Sequence, residues 1–239
     1  MFRRRITLVI LGLVFAAVGI AFSPYREFLR LWTGVIGVDV SHHQGDIDWL
    51  KLAKTDVRFA YLKATEGGDY VDPTFKDNWQ AARKAGLAVG AYHFFTRCKT
   101  GAEQVKNFLA VLPRDQDGLP PVLDAEKMEP CEGKAADLDP RKEIQAFGEA
   151  VSAKLGCKPI LYVSQDFEQA YLQNGLKDYR FWVRSIWAPP LPTHKGWIIW
   201  QYHDAGARAG IDGPVDLDVF RGTSKDFADF RKASSCFEP

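Results

Sequence analysis

The sequence has no excess of charge of either sign, because 31 Lys and Arg residues nearly balance 30 Asp and Glu residues among its 239 residues. Such a chain has no overall field that recruits nucleic acid or an anionic surface, so we expect no nucleic-acid partner. It also lacks internal repeats, low-complexity tracts and any sign of a second-domain boundary. The remaining composition, with 46% apolar and 26% charged residues, is typical of a globular protein with a sizeable core.

Cysteine is scarce, and the four that occur are Cys98, Cys131, Cys157 and Cys236. No two of them form a Cys-x-x-Cys ligand pair and no histidine lies at a finger-like spacing from them, which argues against a zinc site. An even number of cysteines usually pairs in an oxidising compartment. Three pairings are possible, and spacing alone does not choose between them.

Only one long hydrophobic run is present, an uncharged stretch over residues 6–22 that follows three arginines at positions 3–5. The positive-inside bias keeps those arginines cytoplasmic, so the chain beyond the run is predicted to lie outside the membrane. The run is slightly short of the ~20 residues that span a bilayer, and no small-x-small cleavage site follows it. We interpret residues 1–22 as a signal-anchor, with a cleaved signal peptide or a buried core helix as alternatives. Residues 23–34 then form a connector.

Residues 35–239 form one unit, in which short apolar runs alternate with helical stretches as far as Ser164. This alternation favours a parallel sheet covered by helices. After Ser164 the rhythm changes, because three strand candidates follow one another with only loops or a short helix between them. Eight strand candidates in one unit favour a closed barrel whose last helices are reduced, with an open doubly wound sheet as the alternative.

Polar and aromatic side chains fall where the predicted strands end, which is where a barrel of this kind carries its chemistry. A helix cap or a solvated strand end explains any one of them alone, but together they predict one acidic cavity lined by aromatic rings. These residues are Asp39, Ser41, Glu66, Tyr92, His93, Asp124, Glu126, Tyr162, Trp182, Arg184, Trp200, Gln201, Tyr202, Asp216 and Asp218.

Asp124 and Glu126 are the most informative of these residues, because they end the apolar run of PVLDAE. Side chains two residues apart on a strand share a face and rise together by about 6.6 Å, so both carboxyls can point into the cavity. Two acids that close do not titrate alike, and one can donate a proton while the other bears charge. This division of labour suits cleavage of a glycosidic bond. A lone Asp-x-Glu is more often a loop pair, but the acids at the other strand ends favour the catalytic interpretation.

Five segments in order carry a resemblance to a known family: DVSHHQGDIDW (39–49), AYLKATEGGDYVDPTFKDNWQAARKAGLAVGAYHFF (60–95), PVLDAE (121–126), ILYVS (160–164) and WQYHDAG…GPVDLDVFRG (200–222). Together they resemble the lysozymes of glycoside hydrolase family 25, the Chalaropsis-type N-acetylmuramidases. The resemblance implies an α/β fold, a flattened TIM-like (β/α)5(β)3 barrel, here preceded by one N-terminal hydrophobic helix. It also implies hydrolysis of the β-1,4 bond between N-acetylmuramic acid and N-acetylglucosamine in peptidoglycan, without a metal or cofactor.

The resemblance assigns roles to individual residues. It makes Glu126 the general acid and Asp124 its partner, with Asp39 and Asp216 completing the acidic cluster. The nucleophile is either the N-acetyl group of the substrate, oriented by Asp124, or a carboxylate, and the sequence leaves both open. The candidate substrate-binding residues are Ser41, Gln44, Lys63, Glu66, Tyr92, His93, Tyr162, Trp182, Trp200, Gln201 and Tyr202, although His93 also fits a packed strand position.

The sequence departs from the family in two places. Strand six reads FWVRSIW, where the family more often has an Ala-Arg or Ala-Gln step followed by an aromatic residue. The loop KMEPCEGKAADLDP after Glu126 is long. No wall-binding repeat is appended, and we expect the membrane segment at residues 6–22 to keep a monomeric enzyme at the bacterial cell envelope, facing the periplasm or wall. A cleaved signal would instead give a secreted enzyme.

Two other function classes remain open. A non-catalytic sugar-binding barrel would keep the aromatic residues, but it would not need the complete set of acids. A metal-dependent cell-wall hydrolase would need convergent ligands, and His42 and His43 are adjacent, so on a strand they point to opposite faces.

The barrel interpretation selects one disulfide pairing. Cys98 follows strand three and Cys131 follows strand four, so both are expected at the active-site rim. Cys157 precedes strand five and Cys236 follows a last helix that runs back to the opposite end. We therefore predict the pairs Cys98–Cys131 and Cys157–Cys236.

Overall fold

The computed structural model describes residues 34–113, 118–126, 138–172, 175–186, 188–190, 196–233 and 236. The strands are β1 Val35–Val40, β2 Val57–Glu66, β3 Tyr70–Val71, β4 Ala88–Phe94, β5 Val122–Ala125, β6 Ile160–Ser164, β7 Phe181–Arg184, β8 Trp197–Gly206 and β9 Val215–Phe220. The helices are α1 Trp49–Leu52, α2 Phe75–Lys84, α3 Gly101–Val111, α4 Pro140–Leu155, α5 Gln165–Phe167 and α6 Ser224–Ala233. A 3₁₀ turn covers His42–Gln44, and a π-helical turn covers Glu168–Leu172.

Local sequence signals set the ends of the two longest helices. Thr100 and Glu103 form a capping box at the start of α3, because each side chain bonds to the backbone N–H of the other residue. Asp139 caps α4, which has Pro140 at its first position, where a missing N–H costs nothing. Gly156 ends α4 with a φ of 75°, a left-handed conformation that favours glycine.

The sheet closes on itself. β1 pairs in parallel with β2 and antiparallel with β9, and this double pairing completes a barrel of eight strands. The pairs from β2 through β4, β5, β6 and β7 to β8 are all parallel, whereas β9 is antiparallel to both of its neighbours. The predicted barrel is therefore confirmed, and the open sheet is excluded. The two-residue strand β3, which pairs with the end of β2, was not predicted.

Large aromatic side chains fill one end of the barrel. Phe59 and Tyr61 of β2 point inward, and a Cβ on Gly37 or Gly90 of the neighbouring strands would overlap their rings. Helix α6 closes this end, because Phe227 packs against Phe59 and Phe220. We call it the closed end. The opposite end, where the parallel strands finish, is the mouth.

The structure confirms one of the two predicted disulfides. Cys157 is bonded to Cys236 with their Cα atoms 5.4 Å apart, and the bond links residues separated by 79 positions. Cys98 is also disulfide-bonded, but its predicted partner Cys131 lies outside the described residues. The pair Cys98–Cys131 therefore stays a prediction.

Residues 1–33 lie outside the described residues, and with them the predicted signal-anchor over 1–22 and nearly all of the connector. Within the part of the chain that the structure describes, no helix is both long and apolar enough to cross a membrane. The N-terminal hydrophobic helix accordingly stays a prediction.

Candidate active site

The strand ends bring the predicted acids together at the mouth. Asp39 of β1 lies directly opposite Asp216 of β9 in the antiparallel register. Asp124 of β5 is buried, and Glu126, the first residue after this strand, is close enough for its charge to act on Asp124. Asp218 is fully buried one layer below Asp216 and joins the cluster. The sequence had placed Asp218 at a strand end without naming it as catalytic, and its i, i+2 spacing from Asp216 was the signal for a shared face.

A chain of hydrogen bonds links these acids across the barrel. The Tyr162 hydroxyl donates to Gln201 Oε1 at 2.7 Å, and Gln201 Nε2 donates to Asp39 Oδ2 at 3.1 Å. The same hydroxyl lies 3.4 Å from Glu126 Oε2. Tyr162 and Gln201, both predicted from the sequence, therefore tie the acid beside β5 to the acid on β1.

Crowding of carboxyls in a buried site raises their pKa values. Burial is the largest cause for Asp39, Asp124, Asp216 and Asp218, and the charge of a neighbouring acid adds to it in each case. The pKa of Asp216 is raised to about 7. For Asp124 the neighbouring acid is Glu126, while the charge of Lys63 opposes the rise. The carboxyls of this cluster are therefore not all ionised at neutral pH.

Lys63 supplies a cation at the β2 side of the mouth. Its Nζ atom lies 2.6 Å from Glu66 Oε2 and 4.8 Å from the centre of the Phe94 ring. Tyr92 of β4 is partly buried nearby, and burial together with the charges of Asp39 and Asp124 raises its pKa well above the ordinary value. The Tyr92 hydroxyl consequently remains a hydrogen-bond donor at neutral pH.

Ser41 and Gln44 are at the mouth, but they mainly order the loop that follows β1. The Ser41 hydroxyl accepts a hydrogen bond from the His43 N–H at 3.3 Å, and Gln44 Oε1 accepts one from the Ser41 N–H at 2.9 Å. Gln44 Nε2 reaches the Pro214 carbonyl at 3.4 Å, just before β9. This capping box fixes the turn beside Asp39.

Three predicted groove residues do not line the mouth. Trp182 is buried below the acids and donates to Asp218 Oδ1 at 3.0 Å, so it supports the site from beneath. Trp200 is buried on the outer face of β8, where its Nε1 donates to the Ser185 carbonyl at 2.8 Å. His93 is wholly buried on the outer face of β4. The structure therefore places none of these three side chains at the mouth, because Trp200 and His93 point to the outer face of the sheet and Trp182 lies inside the barrel beneath the acids.

His93 instead belongs to the layer between barrel and helices. Its Nε2 lies 3.2 Å from Gln104 Oε1, its Nδ1 lies 2.7 Å from Thr65 Oγ1, and its ring stacks on Phe147 at 5.0 Å. Burial lowers the pKa of His93 to about 4, so the ring is neutral. Its role in packing agrees with the alternative considered from the sequence.

A cavity of about 720 Å³ opens beside the mouth at the ends of β6, β7 and β8. Tyr202 lines it, half-buried with its ring 6.0 Å from that of Trp200. Arg184 and Asp204 line it as well and form an ion pair, with Nη2 and Oδ2 2.8 Å apart. Sequence reasoning did not identify Asp204, because the pairing of β8 with β9 shifts register between Gln201 and His203 and again between His203 and Gly206, the interval that contains Asp204.

Within the described residues, no three His, Cys, Asp or Glu side chains are arranged to hold a metal ion. His42 Nδ1 lies 2.9 Å from Asp72 Oδ2, and its ring packs 4.0 Å from that of His43.

Comparison with known proteins gives a consistent result. The family model described as "Glycosyl hydrolases family 25" matches residues 38–211. The uncharacterized protein YegX of Escherichia coli K12 is 37% identical over 219 residues, covering 87% of this chain and 79% of its own length. Lysozyme M1 of Streptomyces globisporus is 33% identical over 205 residues, covering 80% of this chain and 69% of its own. The solved structure of a family 25 glycosyl hydrolase from Bacillus anthracis has 35% identity and a TM-score of 0.74, covering 82% of this chain and 93% of its own.

Proposed function

The chain belongs to glycosyl hydrolases family 25, and on that premise we propose that Glu126 and Asp124 are the residues with which it cleaves peptidoglycan. It is a glycoside hydrolase that cuts the β-1,4 bond between N-acetylmuramic acid and N-acetylglucosamine. The observation that carries the residue assignment is the position of the two carboxyls at the end of β5, where acids from β1 and β9 converge on them.

Glu126 serves as the general acid that protonates the leaving oxygen. It is partly exposed at the mouth, with 29% of its side-chain surface accessible, so a glycan in the groove can reach it. Burial of Asp124, and then the charge of Glu126, raises the pKa of Asp124, which favours a single proton on the two carboxyls. A shared proton allows one carboxyl to act as acid while the other bears charge.

Asp124 orients the N-acetyl group of the substrate for attack on the anomeric carbon. Its Oδ1 atom is buried, and among the described residues none donates a hydrogen bond to it. This oxygen can accept a hydrogen bond from the N–H of the substrate's acetamido group. The acetamido oxygen would then face the developing oxocarbenium ion. The hydroxyls of Tyr92 and Tyr162 surround the same space and remain protonated, because burial and the nearby acids raise their pKa values.

The finer properties of the enzyme follow from the same premise and from the N-terminal sequence. Its specificity is that of the Chalaropsis-type N-acetylmuramidases, which leave muramic acid at the new reducing end. The apolar run at residues 6–22 anchors a monomeric barrel at the outer side of the cytoplasmic membrane, within reach of glycan strands. The arginines at positions 3–5 support this orientation.

Mass analysis of fragments released from purified peptidoglycan tests the proposal. Borohydride reduces the sugar at the new reducing end of each fragment, and we expect that sugar to be muramic acid. A reduced glucosamine would contradict muramidase specificity. Chelator should leave the rate unchanged, and loss of activity on chelation would favour a metal-dependent hydrolase instead.

The two carboxyl variants test the residue roles in the same assay. Glu126→Gln should lower turnover by about 10²–10⁴-fold, because the amide cannot deliver a proton. Asp124→Asn should lower it by about 10²–10³-fold through lost stabilisation of charge. Glu149→Gln, an exposed change on α4, is the matched control and should have normal activity. Near-normal turnover by a folded Glu126→Gln variant, with the fold checked by circular dichroism, would overturn the assignment.

A further inference from the structure

Arg184 is a cation at the mouth to which the proposed reaction gives no role. It ends β7, where it pairs in register with Ser164 of β6 and Gln201 of β8. Trp182, two residues earlier, points into the barrel interior, so Arg184 shares that face and lies about 6.6 Å nearer the opening. Its side chain is 36% exposed.

The guanidinium group of Arg184 stands between two carboxylates. Its Nη2 atom lies 2.8 Å from Asp204 Oδ2, and its Nε atom lies 4.0 Å from Glu126 Oε2. The charges of Arg184, Asp204 and Glu126 also act on Asp216. Burial raises the pKa of Asp216, the charges of Asp204 and Glu126 raise it further, and the charge of Arg184 opposes them. Arg184 is therefore close enough to act on both acids electrostatically, and Asp204 is the nearer of its two ionic partners.

We propose that Arg184, held by Asp204, is a positioning residue that sets how tightly Glu126 keeps the proton it delivers to the leaving oxygen. The inference rests on the proposed role of Glu126 as general acid. A guanidinium in full contact with Glu126 would hold that carboxyl ionised and empty of its proton. Asp204 draws the guanidinium away and offsets its charge, so Glu126 stays protonated at the working pH. Once the proton has moved to the leaving oxygen, Arg184 remains near enough to stabilise the carboxylate.

Other charged and titratable groups face Glu126 from the surrounding strands. Asp124 lies on its own strand, the Tyr162 hydroxyl approaches from β6, and Asp216 approaches from β9. Lys63 of β2 acts on the neighbouring Asp124. Each of these belongs to the catalytic cluster or borders it, whereas Arg184 and Asp204 can be changed without removing a group that reacts.

Substitution of Arg184 and substitution of Asp204 should move the pH at which Glu126 loses its proton in opposite directions. Arg184→Gln removes the positive charge, so Glu126 should keep its proton to a higher pH. Asp204→Asn frees Arg184 to approach Glu126, so Glu126 should lose its proton at a lower pH. In each single variant we expect the titration midpoint of Glu126 to shift by about 0.5–1 pH unit. This is less than the ~1–3 units typical of a buried carboxyl that is fully paired with a cation, because the Arg184 guanidinium is partly solvated. The double variant Arg184→Gln/Asp204→Asn should titrate near the wild type.

The titration is measured on the substrate-free full-length protein by NMR of side-chain carboxyls labelled with ¹³C in glutamate. The Glu126 signal is identified by its loss in Glu126→Gln. The high-pH limb of kcat/KM should move with it, because activity falls as pH rises through the point where the acid loses its proton. Lys225→Gln and Asp229→Asn are matched controls, since this exposed ion pair lies on α6, the helix that covers the closed end of the barrel. They should move neither readout.

Several results would overturn the inference. One is a Glu126 carboxyl that titrates at the same pH in Arg184→Gln and Asp204→Asn, and another is a Glu126 signal that neither substitution moves in folded protein. If Arg184→Gln raised KM without moving the high-pH limb of kcat/KM, Arg184 would be a substrate contact. If the substitution only lowered the melting temperature, Arg184 would have a purely structural role. Arg184→Lys keeps the charge and should restore the wild-type limb. Because the NMR titration needs no substrate, failure here is distinguishable from failure of the muramidase assignment, which the inactivity of Glu126→Gln tests separately.

Discussion

Each carboxyl of the cluster has different neighbours. Asp218 is held beneath the site by the Trp182 N–H, and Asp39 accepts a hydrogen bond from Gln201. Asp216 lies nearer the surface, where the charges of Asp204 and Glu126 add to its burial and raise its pKa to about 7. Its proton is therefore lost in the neutral range.

The raised pKa of Asp216 predicts how stability depends on pH. In the unfolded chain this carboxyl loses its proton near its ordinary value of 3.8, whereas the folded chain keeps the proton up to about pH 7. The folded state binds more protons in this window, so the free energy of unfolding should fall as pH rises from about 4 to 7. One proton retained in this way changes the free energy of unfolding by up to about 1.4 kcal/mol per pH unit.

Urea denaturation of Asp216→Asn across this pH range checks the prediction. The variant has no proton to lose at this position, and its neighbours no longer feel the added negative charge. We therefore expect its free energy of unfolding to fall less steeply with pH than that of the wild type. Asp212→Asn, an exposed change in the loop before β9, should keep the wild-type slope. Equal slopes for wild type and Asp216→Asn would show that the Asp216 proton is not retained in the fold.

At the level of strands, the sequence predicted which residues come together but not always which way they face. The two-residue spacing of Asp124 and Glu126 predicts one shared face, and the two carboxyls do lie close enough to interact. Trp200 was placed in the groove beside Gln201, although adjacent strand residues point to opposite faces, and the same holds for His93 beside Tyr92. The alternation of side chains along a strand would have placed Trp200 and His93 on the outer face. Position at the end of a strand determines how close a residue lies to the mouth. Alternation along the strand determines whether its side chain points into the barrel or toward the helices.

Contacts made beyond the regular strands could not be predicted in the same way. Arg184 was identified at the end of its strand, but Asp204 was not linked to it. The pairing of β8 with β9 shifts register between Gln201 and His203 and again before Gly206, so alternation fails over this stretch. Irregular backbone of this kind depends on packing between distant segments, which a sequence pattern does not encode.

The disulfide Cys157–Cys236 allows a prediction about the elements that it joins. It ties the residues before β6 to the end of the chain after α6, at the closed end of the barrel. Replacing both cysteines by alanine should lower the free energy of unfolding by about 3–5 kcal/mol, because a long loop is released in the unfolded chain. Turnover at 25 °C should change little, since the acids lie at the other end. Thermal unfolding and peptidoglycan turnover measure the two effects, and an unchanged melting temperature would contradict the first.

The whole molecule has one closed end and one open end, and this polarity relates the site to the start of the chain. Val35 begins β1 opposite Phe220, beside the aromatic cluster with Phe227 that α6 completes. The described chain therefore enters at the closed end, while Asp39 and Glu126 lie at the mouth. A membrane segment before residue 34 would attach to the closed end, which leaves the mouth free to receive a glycan strand.

This polarity gives the proposed topology a direct test. If residues 6–22 hold the barrel on the outer side of the cytoplasmic membrane, protease added to spheroplasts should degrade or release it, while a cytoplasmic marker protein stays intact. Release is favoured over internal cleavage, because residues 23–34 precede the first strand and the barrel has a packed core and a disulfide at the closed end. A chain that begins near Gly34 should accordingly be soluble and folded. Complete protection of the barrel in intact spheroplasts, with digestion only after lysis, would place it in the cytoplasm and reject the topology.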